Sequence, residues 1–472
     1  MFDISIAADT DSYKFGHADM FDPAVRYVSS YGEARSDEHF DRALFTGLQG
    51  WLKSIKPLTH SDVDEMEELA LAHCGLFPSK WMRRIVDVHG GFAPVRIEAL
   101  PEGLVVPNHN CLYQVVNTDP EMPGIGQFVE TALLRAVWYP TTVATLSWYL
   151  KQDLLKYLRR TCDNPEQEIL FRLHDFGARG ASSLETAARG GLAHLINFRG
   201  SDTVPALLAA RRWYSEPLAA HNIPAMEHAT VCSWGVAGEE EALRSAIEKF
   251  MGPGKMLSAL VDTYDLYNCV DNIIGKNLKE LILRKGGTLV LRPDSGDPVS
   301  VALYVVQSLA KSFGATSNNK GFLVLNPAVR VIYGDSINRT SMNSILTALE
   351  INGFSAENVT FGMGGGLLQG VNRDTLGFAQ KASAVTSGHT GWVGIAKNPI
   401  TSRQKISKRG RLMVVQTEDG IETVPEGTYP DERNLLRPVW DTGTLLRDQT
   451  LAEVRALSDQ AEAVRSRYAA AV

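Results

Sequence analysis

The chain has 472 residues, 44% of them hydrophobic, with 47 basic and 54 acidic side chains and a formal net charge of −7. That length and apolar content allow a large core spread over two or three structural units. The mild acidity gives no global reason to expect nucleic-acid or membrane binding.

Five scattered cysteines, Cys74, Cys111, Cys162, Cys232 and Cys269, include no CxxC pair. They are too few for a disulfide framework and fit a reducing compartment. The polar start, MFDISIAADTDSYKFGH, lacks an apolar signal core. No apolar run approaches the roughly 20 residues of a membrane helix. The expectation is a soluble cytoplasmic protein.

In chain order, residues 1–165 mix signals. Tyr27–Tyr31 and Val95–Val106 read as strands, and Pro101–Val116 reads as a hairpin-rich β region. Asp62–His73, Gln127–Val137 and Thr142–Arg160 read as helices. From about Ile169 to Leu368 a short apolar run, a loop with acids and glycines, and a helical stretch recur. The runs are ILFRLHDFGARG, HLINFRGSDT, LSALVDTYD, TLVLRPDSGDP, VRVIYGDS and NVTFGMGGG, with IPAMEHATVCSWG as a further candidate. Their loop positions Asp175, Asp202, His228, Asp262, Asp294, Asp335 and Gly364 lie roughly 26 to 41 residues apart, close to the ~30 residues of a strand-plus-helix unit. Six or seven such units favour an α/β barrel, and its chemistry is expected at the carboxyl ends of the strands. After about Gly370 the pattern breaks. KISKRGR (Lys405–Arg411) is basic, TEDG (Thr417–Gly420) reads as a hairpin turn, and Leu451–Val472 reads as an amphipathic helix. The barrel is assigned to residues 166–385. Residues 1–165 and 386–472 are expected to pack together as a second, β-rich domain.

Four loops could carry chemistry. Phe361–Gln369 (FGMGGGLLQ) has bare backbone amides that would cradle a phosphate, or glycines that a tight turn requires. RPDSGDP places Arg292, Asp294 and Asp297 together, with Asp335 one unit on and Asp262 and Asp265 one unit back. Carboxylates at successive strand ends suit a polyhydroxyl or a hydrated Mg²⁺; alone, the RPDSGDP loop would read as a turn with a solvated ion pair. HDFGARG supplies Phe176 for stacking and Arg179 for clamping phosphate, or else a core aromatic and an ion pair. MEHAT supplies His228, a base or phosphate acceptor if it is not structural. No Cys/His metal site, Walker A motif or strand-bound GxGxxG is visible. The residues reach an enzyme for a phosphorylated sugar and an aromatic group, but not the reaction.

These same loops resemble the nicotinamide phosphoribosyltransferase family, and the likeness runs in order from TDSYK (Thr10–Lys14) through WYPTTVAT, HDFGARG, RGSDTV, EHAT, YDLYN, LRPDSGDP, GGGLLQ and NRD to SKRGRL (Ser407–Leu412). The resemblance implies an irregular α/β barrel of the type II phosphoribosyltransferase fold with a second β-rich domain. It also implies a homodimer with shared active sites, Mg²⁺, and stimulatory ATP as a co-substrate. The substrates implied are nicotinamide and phosphoribosyl pyrophosphate, joined in NAD salvage to give nicotinamide mononucleotide and pyrophosphate. Phe176 and the partner subunit's Tyr13 resemble the walls around the pyridine ring. Asp202 matches the carboxamide acceptor, Ser258 and Arg292 line the same tunnel, and Arg179 contacts pyrophosphate and ring. Asp294, Gly334 and Asp335 resemble the ribose binders, and Gly364 and Gly365 the 5′-phosphate cradle. Arg35, Arg373, Lys381 and Lys397 match basic residues near the phosphates. His228 matches a histidine phosphorylated during ATP hydrolysis, with Asp262 beside it. Ala379 and Asn222 stand where the family often has a hydroxyl side chain and a serine. The alternative, nicotinate phosphoribosyltransferase, is disfavoured by Asp202, whose charge would repel a carboxylate substrate.

Overall fold

In the computed structural model, which describes residues 5–389, 391–401, 406–418 and 420–469, the recurring pattern after Ile169 becomes one parallel sheet. Its six strands lie in the order Gly200–Ser201, Leu173–Asp175, Val359–Met363, Val329–Tyr333, Thr288–Arg292, Met256–Leu260. Every pairing between them is parallel. The two edge strands are not left open. Gly200 bridges His221 and Ser258 bridges Ala225, both parallel. His221 N donates to Arg199 O at 2.8 Å, Ser258 N to Pro224 O at 2.8 Å, and Met226 N to Ser258 O at 3.0 Å. The segment 221–226 therefore spans the gap and curls the sheet into a closed ring, satisfying edge groups that would otherwise stay unpaired.

Local chemistry explains the strand-to-helix transitions. After Thr288–Arg292 the chain turns through Pro293–Gly296, and Asp297 caps the helix Pro298–Phe313, accepting from Ser300 N at 2.9 Å with proline in the first turn. Asn338 closes a capping box at the start of Arg339–Ile351. The strands themselves are buried apolar runs, as parallel strands covered on both faces must be.

The chain divides into two compact units. The barrel unit comprises Leu146–Arg211 and Pro217–Val371. The other comprises Met1–Thr145, Arg212–Glu216 and Asn372–Val472. These divisions differ from the boundaries at residues 165 and 385 set from sequence. Ala379–Thr386 pairs antiparallel with Tyr27–Glu33 and so belongs to the second unit. Most of Gln127–Val137 and all of Thr142–Arg160 belong to one long helix, Glu130–Thr161, that runs through Pro140, while Gln127 lies in the short helix Ile125–Phe128 that precedes it.

The second unit is built on a seven-stranded sheet. Its order is Val393–Gly394, Ala379–Thr386, Tyr27–Glu33, Cys111–Asn117, Val95–Ala99, Arg437–Asp441, Thr444–Leu445. Strands from both ends of the chain are interleaved in it. Buried Glu102 fastens this unit internally. Its carboxylate accepts from Thr46 Oγ1 at 2.8 Å, Gly47 N at 3.0 Å, Gln49 N at 2.6 Å and Tyr214 OH at 2.5 Å. The last of these ties in the short excursion Arg212–Glu216. Leu412–Thr417 and Gly420–Pro425 form the hairpin foreseen at TEDG; Asp419, Lys405 and the last three residues of the expected helix Leu451–Val472 lie outside the described residues.

Candidate active site at the strand ends

Phe176 follows the strand Leu173–Asp175, and its N–H donates to Met363 O at 2.9 Å. Its ring is seated on bare backbone. A methyl group on Gly362 would lie 2.0 Å from Phe176 Cε2, and one on Gly334 would lie 3.2 Å from the same atom. Any side chain at Gly362 would displace the ring. The Gly334 position is also 3.8 Å from Asp294 Oδ1. An aromatic wall and a carboxylate thus converge on one glycine at the mouth of the ring.

Asp202 sits one strand over. Its N–H donates to Asp175 O at 2.9 Å, and its Oδ1 accepts from Asn222 Nδ2. Burial holds the Asp202 carboxyl above the ordinary range, against the pull of the Arg292 charge, the Asn222 hydrogen bond and Arg179. Arg292 closes its own strand, and its Nη2 donates to Met226 O at 2.6 Å. Ser258 is buried within the strand Met256–Leu260, opposite Val290. Asp175 lies beneath the loop; its Oδ1 accepts from Gly177 N at 2.7 Å, and burial pushes its carboxyl up to about 6.

A second group of acids follows. Asp262 is 3% exposed, and its Oδ2 accepts from Asp294 N at 3.0 Å and Ser295 Oγ at 2.6 Å. Its Oδ1 lies 3.5 Å from His228 Nε2 and has no hydrogen-bond donor among the described residues. His228 opens the helix His228–Cys232, and its side chain is half exposed. Burial raises the Asp294 carboxyl; Arg292 opposes this, Asp262 adds to it, His228 opposes and Asp335 adds. Asp335 follows the next strand, Val329–Tyr333. Two carboxylates named at the sequence level have structural work instead: Asp297 caps a helix, and Asp265 caps Leu266–Asn268 by accepting from Asn268 N at 3.0 Å.

At Gly364–Gly366 the glycines serve openness rather than a left-handed turn. None of the three has a positive φ. Among the described residues nothing lies within 4 Å of a methyl group placed on Gly365, while one on Gly180, next to Arg179, would touch Gly365 Cα at 3.0 Å. Backbone left bare to open space at a strand end can approach a phosphate closely.

The barrel unit therefore carries Phe176, Arg179, Asp202, His228, Ser258, Asp262, Arg292, Asp294, Gly334, Asp335, Gly364 and Gly365 in the strands of one ring and in the segments that follow or join them. Tyr13, Arg35, Arg373, Lys381 and Lys397 belong to the other unit. Tyr13 is 65% exposed there, with its ring edge against His17. Arg35 Nε donates to Gly377 O at 3.2 Å, and exposed Arg373 pairs with Asp374 at 3.0 Å. Lys381 is held below the usual lysine range by burial, with Glu130 opposing and the charges of Arg35 and Lys397 reinforcing. Three of the basic residues thus share one electrostatic neighbourhood.

Among the described residues no group of three His, Cys, Asp or Glu side chains could hold a metal alone. The undonated buried oxygen of Asp262, next to Asp294, does suit an Mg²⁺ held by one or two carboxylates plus substrate phosphates and water.

Sequence reasoning missed Gly362. Its signal was present, because glycine inside a strand pattern marks a close approach. Asn222 was visible only as a departure from the family, and its contact with Asp202 depends on the ring closing.

Two solved structures share the fold. One is described as nicotinate-nucleotide pyrophosphorylase from Pyrococcus furiosus (TM-score 0.63, 17% identity, covering 97% of each chain). The other is human nicotinic acid phosphoribosyltransferase (TM-score 0.60, 19% identity, covering 96% of this chain and 93% of that one). The nicotinate phosphoribosyltransferase family model matches residues 171–444, and the model of the nicotinamide phosphoribosyltransferase N-terminal domain matches residues 5–97. A Xanthomonas campestris protein named nicotinamide phosphoribosyltransferase is 44% identical, covering 97% of this chain and 98% of its own. One of the same name from Acinetobacter baylyi is 30% identical over 94% and 95%. The chain belongs to the nicotinamide phosphoribosyltransferase family. No described helix is long and apolar enough to cross a membrane.

Proposed function

We propose that the protein transfers the phosphoribosyl group of phosphoribosyl pyrophosphate to nicotinamide, forming nicotinamide mononucleotide and pyrophosphate for NAD salvage. The observation that carries this reading is the convergence of Phe176 and Asp294 on Gly334, with Asp202 on a nearby strand end. A flat ring stacks on Phe176, its carboxamide meets Asp202, and the ribose hydroxyls meet Asp294, Gly334 and Asp335. Gly364 and Gly365 take the 5′-phosphate. Ser258 and Arg292 line the base tunnel.

The pyridine nitrogen attacks C1 of the sugar as the C1–oxygen bond to pyrophosphate breaks. The nitrogen lone pair forms the new bond and needs no base, because no proton leaves it. Phe176 and Tyr13, the latter from a partner subunit in a homodimer, hold that nitrogen in line, which is a positioning contribution. Arg179, Arg373, Lys381, Arg35 and Lys397 stabilise the negative charge gathering on the leaving group. Mg²⁺, held by Asp262 and Asp294 with the diphosphate, would neutralise part of the same charge.

His228 is left to accept phosphate from ATP, coupling hydrolysis to synthesis. Its half-exposed ring and the buried carboxylate of Asp262 at 3.5 Å support this role. The reading places the enzyme in the cytoplasm. It is tested by measuring mononucleotide formation from nicotinamide with and without ATP. Turnover that ATP leaves unchanged would remove the coupling but not the transfer.

A further inference from the structure

Asn222 and Asp202 stand at the junction where segment 221–226 closes the ring against the strand Gly200–Ser201. Asn222 is locked in one orientation. Its Oδ1 accepts from Ile223 N at 2.8 Å, so its Nδ2 must face outward, and that nitrogen donates to Asp202 Oδ1. One Nδ2 hydrogen is used in this bond, and an amide carries two. Asp202 Oδ2 accepts no hydrogen bond among the described residues. The pair therefore offers one outward N–H donor and one outward carboxylate acceptor, side by side.

We infer that Asn222 and Asp202 together form a two-point receptor for a primary carboxamide, with Asn222 a specificity-determining residue in its own right. This rests on the transferase reading above and deepens it. A carboxamide presents one acceptor oxygen and N–H donors, and it satisfies both points at once. A carboxylate presents two acceptors, and one of them must face the Asp202 charge. Asn222 also acts through Asp202, because its N–H favours the ionised form of that carboxyl. The charged groups facing Asp202 are Arg292 at the end of its strand, Arg179 in the loop after Phe176, and Asp175, the residue that accepts the Asp202 backbone N–H.

The test compares Asn222→Ala and the isosteric Asn222→Asp with the natural enzyme. Steady-state rates with nicotinamide and with nicotinate are measured across pH 5 to 9. Loss of one hydrogen bond to a charged group is expected to lower kcat/KM for nicotinamide about ten- to thirtyfold, through KM. The KM for phosphoribosyl pyrophosphate should stay within about threefold, which also reports that the variants fold. The acid limb of the nicotinamide profile should move to higher pH in both variants, furthest in Asn222→Asp, where two carboxylates share the site. If both variants keep the natural preference for nicotinamide and the natural acid limb, the assignment to Asn222 is wrong while the transferase reading stands. If the natural enzyme itself prefers nicotinate, the transferase reading has failed first.

Discussion

The ring of Phe176 occupies the space that a side chain on Gly362 would need, to within 2.0 Å. The Phe176 ring, the proposed stacking wall, is thus positioned by the absence of a side chain on the neighbouring strand. Gly362→Ala should tilt the ring out of line with the base. We expect the KM for nicotinamide to rise about tenfold or more, with the KM for phosphoribosyl pyrophosphate changed less than about threefold. Overpacking should also cost about 1–3 kcal/mol of stability, read from the denaturant midpoint. Unchanged nicotinamide kinetics would mean that Phe176 does not hold the base.

In the proposed arrangement Asp202 sets the charge at the carboxamide end of the pocket. Asp202→Ser removes that charge and leaves a small polar group. The ratio of kcat/KM for nicotinamide over nicotinate should fall by about tenfold or more, as the repulsion of nicotinate disappears. A ratio equal to that of the natural enzyme would locate selectivity elsewhere.

His228 touches neither ring nor ribose in the proposed arrangement. His228→Ala should therefore keep transferase activity without ATP and lose the increase that ATP produces. Paired assays with and without ATP check this. ATP stimulation that survives in the variant would exclude a phosphohistidine at this position.

Asp175 gives a pH prediction with a definite sign. Its folded value of about 6 lies above the ordinary 3.8, and burial is the main cause. The protonated form is thus favoured by folding. The stabilisation is complete below about pH 4 and is lost as pH rises through about 6, a difference of up to about 3 kcal/mol. Asp175→Asn keeps an acceptor for Gly177 N and carries no charge. Its stability relative to the natural protein should rise by about 2–3 kcal/mol between pH 4 and pH 8. Denaturant unfolding at both pH values measures this, and a constant difference would contradict it.

The barrel was legible because its units announce themselves. Each apolar run ends in an acid or glycine, and each loop leads into a helix with a readable cap, as Asp297 and Pro298 show. The closing segment was only a candidate strand, since 221–226 makes isolated bridges rather than a ladder and carries two polar residues and a proline. The same loops hid which carboxylates cap helices: Asp297 accepts from Ser300 N at a helix start, while Asp294, three residues earlier, has its backbone N–H on Asp262. Near residue 385, where the sequence pattern puts a boundary, the strand Ala379–Thr386 takes its partner, Tyr27–Glu33, from the far end of the chain. Short-range pattern carries no record of such a pairing. Glu102, which binds Tyr214 across more than a hundred residues, was invisible for the same reason.

A competition between the two bases tests the choice of nicotinamide most directly. The purified protein is given phosphoribosyl pyrophosphate, Mg²⁺ and equal concentrations of nicotinamide and nicotinate, and both mononucleotides are quantified over time. Nicotinamide mononucleotide is expected as the dominant product, with stoichiometric pyrophosphate. Dominant nicotinate mononucleotide, or no consumption of phosphoribosyl pyrophosphate with either base, would contradict it.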